Sequence, residues 1–341
     1  MELVWQRIDL QLKRPFVTAA AVRKDKQTIW VRIRHDGIEG WGEAVPTDLY
    51  GQSLESAERA LGKIASVLPE QVPPIEPLID RLLAEFDDQR ATVAAIDAAL
   101  HDWLAKSRGE SVVAMFGLRP EQAPPTSVTL GIDAPAIMRE KMQEMADFPI
   151  WKVKIGTELE GETLALIREH SPNRTLRVDA NMGWSADDAL TRLHRATEHR
   201  VELVEQPCRP SNTATLQSLK RAGLCPIVAD ESCVRPADVA RIADCFDGIN
   251  IKLSKCGGLL EARRMIRLAR EHGLKVMLGC MIECSLGIAA AAQLAPMVDW
   301  IDLDGHLLLA SDPFTGLCGT NGRLTIGASP GLGVQLRTHN I

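Results

Sequence analysis

The 341-residue sequence has few aromatic residues and no cluster of basic residues. It contains one tyrosine, six phenylalanines and seven tryptophans, and its net charge is −6 because 45 acidic residues outnumber 39 lysines and arginines. A protein that binds nucleic acid needs a basic surface to attract phosphates and aromatic rings on which bases stack. The sequence therefore argues against nucleic acid as a partner.

Long apolar runs and paired cysteines are also lacking. The apolar stretch at residues 288–298 falls short of the ~20 residues that span a bilayer. The first 14 residues, MELVWQRIDLQLKR, place charged side chains where a secretory signal needs a continuous apolar stretch. All eight cysteines lie in the second half of the chain, and none forms a CxxC pair. These absences argue against a disulfide framework, and they predict a cytoplasmic protein with free thiols and no membrane partner.

What the sequence does contain is typical of a globular protein with a large core. Apolar residues make up 45% and charged residues 25% of the chain. In the first third, residues 28–35 and 38–44 flank an Asp-Gly turn and predict a β-hairpin. Three segments with apolar residues every three or four positions follow and predict helices, the last ended by Gly109. We therefore expect an α+β domain over residues 1–117.

From about residue 125 the pattern changes to eight short β runs that alternate with helical stretches. The last polar residues of successive runs are separated by 22 to 27 residues, the length of one βα unit. Eight strands joined by seven helices predict a closed parallel barrel over residues 118–314, with residues 315–341 returning to the first domain. An open doubly wound sheet is the alternative, but it would need a glycine-rich loop after its first strand, and none follows TSVTLG.

Ionisable residues recur at the ends of the predicted barrel strands. Because the carboxyl ends of the strands meet at one mouth, Asp179, Glu205 and Asp230 are expected to face one another there. Three neighbouring carboxylates repel unless a cation lies between them, and oxygen ligands suit Mg²⁺. Helix capping would explain any one of them, but three at matching positions favour a metal site.

Lysines flank these carboxylates. Lys152 and Lys154 are two residues apart on one strand, so both side chains point to the same inward face. Burial of two ammonium groups is expected to lower the pKa of at least one, as a general base near neutral pH requires. Lys252 ends the sixth strand, opposite the second. Two opposed lysines could remove a proton from one face of a carbon and return it to the other. The alternative for a KxK pair taken by itself is a charged, solvated edge of a surface strand.

Five motifs in order resemble the muconate-lactonising subgroup of the enolase superfamily. They are KVK (152–154), VDAN (178–181), VEQP (204–207), ADES (229–232) and NIKLSKCGG (250–258). The resemblance implies a (β/α)7β modified TIM barrel with an α+β capping domain. It also implies that Asp179, Glu205 and Asp230 bind Mg²⁺, and that Lys154 and Lys252 perform a 1,1-proton transfer through a metal-stabilised enolate.

The motif DLDG (302–305) indicates the substrate class. Asp302 and Asp304 are two apart on one face, where two carboxylates would attract an ammonium group. The pair is similar to the DxD of dipeptide epimerases, which binds the free α-amino group of a dipeptide. The resemblance thus implies a Mg²⁺-dependent isomerase that inverts the α-carbon of the C-terminal residue of a dipeptide, of the alanyl-glutamate type. A helix-capping aspartate is the structural alternative.

Three further residues are predicted to bind substrate. Residues 14–28 correspond to the mobile loop that covers the mouth in this family. Arg23 corresponds to the position at which alanyl-glutamate epimerases bind the acidic side chain of the substrate. A guanidinium suits a carboxylate because it can bind bidentately. Tyr50 lies in the second capping loop, and Lys152 faces the mouth beside Lys154. The sequence also allows a homo-oligomer.

The same residues leave three alternatives open. An N-acylamino acid racemase or o-succinylbenzoate synthase would keep the chemistry, but its substrate lacks the ammonium that DxD would bind. A muconate-type cycloisomerase would have to bind a diacid substrate, which the two aspartates would repel. A non-catalytic binding protein on the same scaffold would have no need of two opposed lysines.

Overall fold

The structure is a computed structural model that describes residues 1–19, 21–326 and 329–337. Residue 20 of the predicted loop, and residues 327, 328 and 338–341 of the predicted C-terminal segment, lie outside the described residues.

An antiparallel sheet begins the chain and a parallel sheet follows it. The antiparallel sheet contains β1 (Glu2–Val17), β2 (Val22–His35) and β3 (Ile38–Ala44). The parallel sheet contains β4 (Val128–Leu130), β5 (Ile150–Lys154), β6 (Thr175–Asp179), β7 (Leu203–Glu205), β8 (Ile227–Ala229), β9 (Gly248–Ile251), β10 (Lys275–Gly279) and β11 (Trp300–Asp302). Two short pairs join β12 (Phe314–Thr315) to β15 (Gln335–Leu336), and β13 (Leu317–Thr320) to β14 (Arg323–Ile326).

The helices fall into two groups. Those before the parallel sheet are α1 (Leu54–Val67), α2 (Ile75–Glu85), α3 (Arg90–Arg108) and α4 (Val112–Met115). Those that connect its strands are α5 (Pro135–Glu144), α6 (Glu160–His170), α7 (Ala189–Glu198), α8 (Thr213–Ala222), α9 (Pro236–Ile242), α10 (Leu253–Cys256), α11 (Leu259–Glu271) and α12 (Ser285–Ala292). No helix of the described residues is long and apolar enough to cross a membrane.

The predicted hairpin is confirmed, but the predicted loop before it is wrong. Asp36 and Gly37 have φ angles of 49° and 72°, as a two-residue type I′ turn requires. Residues 14–17 belong to β1 and residues 22–28 to β2 of the same sheet, and Phe16 pairs with Arg23. The register shifts between Gln11 and Phe16, but the paired residues on either side satisfy backbone N–H and C=O groups that a loop would leave to water. The capping segment is therefore an extension of the sheet.

The eight parallel strands close into a barrel, which confirms the predicted fold class. They are hydrogen-bonded in chain order from β4 to β11. Closure comes from the residues just before β4, because Thr126 forms a parallel bridge to Ile301 and the N–H of Ser127 donates to the Ile301 carbonyl at 3.1 Å. An open doubly wound sheet is thus excluded. Since β5 is second and β9 is sixth of eight strands, they lie on opposite sides of the barrel.

Helix α3 joins the antiparallel sheet to the barrel through buried carboxylates. Asp97 accepts a hydrogen bond from the N–H of Leu260, at the start of α11, at 3.0 Å. Asp102 accepts from the N–H of Leu332 at 2.7 Å, which ties the C-terminal segment to α3. Buried carboxylates that accept backbone N–H groups fix both elements because breaking either bond would leave a buried polar group unpaired. These contacts hold the antiparallel sheet over the barrel mouth.

Candidate active site

The predicted site residues lie at or just beyond the carboxyl ends of the barrel strands. They are Lys152 and Lys154 in β5, Asp179 in β6, Glu205 in β7, Asp230 after β8, Lys252 after β9, Asp302 in β11 and Asp304 two residues later. All of these except Lys252 are at least nine-tenths buried. Because successive side chains of a strand point to opposite faces, these residues point into the barrel.

A cavity of about 250 Å³ lies between these strand ends and the antiparallel sheet. Eight of the ten predicted site residues line it: Arg23, Tyr50, Lys152, Lys154, Asp230, Lys252, Asp302 and Asp304. Asp179 and Glu205 are fully buried and do not line it. The structure thus brings residues of the antiparallel sheet and of six barrel strands to one site.

Two lysines face each other across the cavity, each held by a carboxylate. Lys154 Nζ donates to Asp179 Oδ2 at 2.6 Å, and Lys252 Nζ donates to Asp230 Oδ2 at 2.8 Å. The two lysines belong to the second and sixth positions of the barrel, so they approach the cavity from opposite sides. A small molecule between them would present one face to each ammonium group.

Lys152 contacts more carboxylates than sequence spacing suggests. Its Nζ lies 2.7 Å from Asp302 Oδ2, 2.7 Å from Glu205 Oε2 and 3.3 Å from Asp179 Oδ2. Burial lowers the pKa of Lys152, but the three carboxylates outweigh it and hold this pKa well above its usual value. The sequence predicts a lowered pKa for at least one of the two lysines of β5, and Lys152 is not that lysine.

Two partners of the carboxylates were missed from the sequence. Asn250 Nδ2 donates to Glu205 Oε1 at 2.8 Å, and the spacing of two residues from Lys252 could have indicated that it faces inward. Lys255 is fully buried, and its Nζ donates to Asp230 Oδ1 at 2.8 Å. No strand periodicity signals Lys255, because it lies on the short helix α10.

The donor set fits a hard divalent cation. In the described part of the chain no three Asp, Glu, His or Cys side chains converge as ligands of one ion. Lysine ammonium groups lie against Glu205, Asp179 and Asp230. Burial raises the pKa of Glu205, and the neighbouring charges of Asp179 and Asp230 raise it further. Glu231 Oε2, in the cavity lining, is buried without a hydrogen-bond partner. Repelling carboxylates and an unpartnered oxygen suit Mg²⁺.

The two aspartates at the end of β11 and just beyond it differ in their surroundings. Asp302 is neutralised by Lys152 and accepts a hydrogen bond from Ser127 Oγ at 2.7 Å. Asp304 Oδ2 accepts from the N–H of Thr129 at 2.5 Å, and no cationic side chain of the described residues pairs with it. Burial and the charge of Asp302 raise the pKa of Asp304 to about 6. Among the described residues, Asp304 is therefore, like Glu231, a carboxylate of the cavity that lacks a counter-ion.

The antiparallel sheet contributes cations to the cavity lining. Arg23 is exposed and pairs with no carboxylate of the described residues. Lys26 also lines the cavity, and its Nζ donates to the Pro46 carbonyl at 2.9 Å.

Tyr50 ends a short 3₁₀ turn that Gly51 stops with a φ of 70°. Burial and the charge of Asp230 raise the pKa of Tyr50 above its usual value.

Comparison with known families matches both parts of the chain. Residues 3–117 match the N-terminal domain of the mandelate racemase/muconate lactonizing enzyme family, and residues 137–340 match the enolase C-terminal domain-like family. Together these matches cover the antiparallel sheet, the helices that pack on it and nearly all of the barrel.

Individual proteins are similar over almost the full length. An L-Ala-D/L-Glu epimerase of Bacteroides thetaiotaomicron is 37% identical over 340 residues, which cover 98% of this chain and 88% of that protein. A dipeptide epimerase of Methylococcus capsulatus, complexed with Mg and the dipeptide L-Arg-D-Lys, is 33% identical with a TM-score of 0.91 over 98% of both chains. A substrate-liganded complex of the L-Ala-D/L-Glu epimerase of Bacillus subtilis has 30% identity and a TM-score of 0.92, over 98% of both chains.

Proposed function

This chain belongs to the mandelate racemase/muconate lactonizing enzyme family of the enolase superfamily, and from that premise we propose that it is a Mg²⁺-dependent dipeptide epimerase. It would invert the α-carbon of the C-terminal residue of a dipeptide. One observation carries the proposal: a single cavity holds two opposed lysines together with an aspartate that lacks a counter-ion. The first feature suits proton transfer, and the second suits a free amino group.

Lys154 and Lys252 would act as base and acid. In one direction a lysine in its amine form takes the α-proton, and the opposite lysine in its ammonium form gives a proton to the other face of the same carbon. The two lysines have then exchanged protonation states, so the reverse direction uses them in the opposite roles. Asp179 and Asp230 support this by holding the two Nζ atoms at 2.6 Å and 2.8 Å.

Asp179, Glu205 and Asp230 are the side chains that would hold Mg²⁺. Bound there, Mg²⁺ supplies positive charge that makes the α-proton of the substrate more acidic and offsets the negative charge that develops. The support is the buried carboxylate set and the mutual repulsion that raises the pKa of Glu205.

Asp304 and Asp302 would bind the N-terminal ammonium of the dipeptide. A buried carboxylate without a counter-ion is costly, so a ligand that brings a positive charge gains more there than a neutral ligand of the same shape. Asp304 offers such a site, whereas Asp302 already binds Lys152. We therefore assign the stronger contact with the ammonium to Asp304.

Arg23 would favour an acidic C-terminal residue such as glutamate. Its guanidinium lines the cavity and has no carboxylate partner in the part of the chain that the structure describes, so it is free to bind one bidentately. Lys26 adds a second positive charge nearby. Tyr50, on the capping side, would close the cavity beside Lys252.

Hydrogen exchange in D₂O tests the proposal. The protein is incubated with Mg²⁺ and pools of L,L-dipeptides, N-succinyl and N-acetyl amino acids, and muconate-like diacids, and deuterium incorporation is read by mass spectrometry. Exchange confined to dipeptides with a free amine supports the proposal. Exchange of N-acyl amino acids without dipeptides would replace it with N-acylamino acid racemisation, and the absence of any turnover would favour a binding protein.

A further inference from the structure

Two buried carboxyl groups meet where the antiparallel sheet contacts the barrel, outside the lysine and carboxylate cluster described above. Glu43 lies in β3 and Glu283 lies in the turn between β10 and α12. The two residues retain only 5% and 6% of their accessible surface, and no lysine or arginine of the described residues forms an ion pair with either. We refer to them as the carboxyl pair.

The backbone at Gly287 shows how close the two groups are. A Cβ added to Gly287 would lie 2.2 Å from Glu283 Oε2 and 3.0 Å from Glu43 Oε2. Both oxygens thus lie beside the position that a Cβ of residue 287 would occupy, and only glycine leaves room for them. Two carboxylates held this close without a cation cannot both be ionised at low cost.

The carboxyl pair also binds the backbone of one wall of the cavity. Glu43 accepts hydrogen bonds from the N–H groups of Cys284 and Gly287, each at 3.1 Å. Glu283 Oε1 accepts from the N–H of Met281 at 3.0 Å. Cys280, Met281 and Ile282, which precede Glu283, line the cavity and form what we call the pocket wall.

We propose that the carboxyl pair carries a single negative charge in the working protein, and that the retained proton keeps the pocket wall docked against the antiparallel sheet. Glu43 and Glu283 are thus positioning residues, which act on substrate through the wall. Loss of the proton would place two negative charges side by side and push β3 away from the turn that holds the wall.

Burial and the neighbouring groups favour one negative charge on the carboxyl pair and disfavour two. Burial raises the pKa of Glu43 to about 7, and burial together with the charge of Glu43 raises that of Glu283 to about 8. Because the two groups interact, these pKa values belong to the pair. The titratable and charged groups that face the pair are Lys26 of β2, Lys252 after β9, and the thiols of Cys280 and Cys284, with Asp312 behind Cys284.

Thermal unfolding as a function of pH tests the proposal without any substrate. The folded pair keeps protons that the unfolded chain releases near pH ~4.3, so the free energy of unfolding falls as pH rises from there to about 8. Glu283→Gln cannot ionise and escapes this loss. The Tm of the variant minus that of the wild type is therefore expected to rise between about pH 5.5 and about pH 8.5. A difference that does not change with pH would overturn the proposal.

A matched control is Glu261→Gln. Glu261 is a buried glutamate where α11 packs against α3, and it forms ion pairs with Arg90 at 3.6 Å and Arg264 at 3.1 Å. The Tm of Glu261→Gln minus that of the wild type should not rise over the same pH range. An equal rise would show that the effect is not specific to the carboxyl pair. If Glu283→Gln does not fold, Glu43→Gln serves in its place.

Hydrogen exchange locates the movement. The protection factors of the amides of residues 281–287, taken relative to the intrinsic rate at each pH, should fall above about pH 8 in the wild type and stay constant in Glu283→Gln. Unchanged protection across the transition would mean that the wall does not move. These measurements need no substrate, so they can succeed even if the dipeptide assignment fails.

A kinetic test rests on the proposed function. With a turned-over dipeptide, KM should rise above about pH 8 in both proteins, because the α-ammonium of the substrate loses its proton at a pKa of about 7.7–8.0. The rise should be several-fold larger in the wild type than in Glu283→Gln, with little change in kcat. A fall in kcat alone, shared by both proteins, would contradict a positioning role.

Discussion

Lys152 Nζ lies 2.7 Å from Asp302 Oδ2 and 2.7 Å from Glu205 Oε2, and so connects the acidic pair at the end of β11 and just beyond it to the carboxylates inside the barrel. The contact neutralises Asp302 before any substrate arrives. Asp304, two residues further on, is hydrogen-bonded by the backbone and side chain of Thr129 and lies 4.0 Å from the Cys280 thiol, with no cationic partner among the described residues. The two aspartates of the DxD motif therefore start from different electrostatic states.

The first prediction follows from that difference. Asp304→Asn should weaken binding of dipeptides with a free amine by about 10- to 100-fold, the effect of losing one charge-assisted hydrogen bond. Asp302→Asn should have a smaller effect on KM and a larger effect on stability, because it leaves Lys152 with one partner fewer. Steady-state kinetics and thermal unfolding of both variants separate the two roles, and equal KM effects would contradict the assignment.

The second prediction concerns the opposed lysines. Lys154→Ala and Lys252→Ala should each lower epimerisation by roughly 10²–10⁴-fold, because each removes the acid or the base of one step. Each variant should still exchange the α-proton of one C-terminal enantiomer, the one whose proton faces the remaining lysine. Deuterium incorporation from separate L,L and L,D dipeptides measures this. A variant that epimerises at the wild-type rate would disprove the two-base mechanism.

A third prediction concerns the metal. Asp179→Asn should lose most of the Mg²⁺ affinity measured by isothermal titration calorimetry, because it removes a charged oxygen ligand. Asp133→Asn, which changes an aspartate away from the cavity that pairs with Lys141, is the matched control and should bind normally. EDTA should abolish the activity of the wild type, and added Mg²⁺ should restore it. Full activity of Asp179→Asn in EDTA would exclude the metal assignment.

The fourth prediction addresses the C-terminal residue of the substrate. Arg23→Ala should lower kcat/KM for an X-Glu dipeptide by about 10-fold or more, the effect of removing a charged hydrogen-bond partner, and should leave X-Leu nearly unchanged. Lys24→Ala changes an exposed neighbour outside the cavity lining and serves as the control. If Arg23→Ala reduces both dipeptides equally, Arg23 supports the hairpin rather than selecting substrate.

Local patterns in the sequence predict the barrel and most of its site. The interval of 22 to 27 residues between strand ends and the two-residue spacing of Lys152 and Lys154 depend only on neighbours in the chain, and they place both lysines correctly. Lys255 could not be found in this way, because a short helix turns its side chain back onto Asp230. The segment 14–28 was misjudged because its pairing depends on β1, whose register the sequence does not specify.

Contacts between segments that are distant in the chain could not be predicted from the sequence either. Glu43 and Glu283 approach each other only after the antiparallel sheet packs on the barrel, and each alone reads as an ordinary glutamate at the edge of an element. The raised pKa of Lys152 has the same origin, because three strands supply the carboxylates that cause it. Chemistry that depends on which elements meet requires the three-dimensional structure.

The most direct measurement compares a matched pair of substrates in D₂O with Mg²⁺: the dipeptide Ala-Glu and its N-acetyl derivative. Wild-type protein should place deuterium on the α-carbon of the glutamate residue of Ala-Glu and convert that residue to a mixture of L and D forms. It should leave N-acetyl-Ala-Glu unchanged, because the acetyl group removes the ammonium that Asp304 requires. Equal exchange of both compounds, or exchange of the acetylated compound alone, would contradict the account.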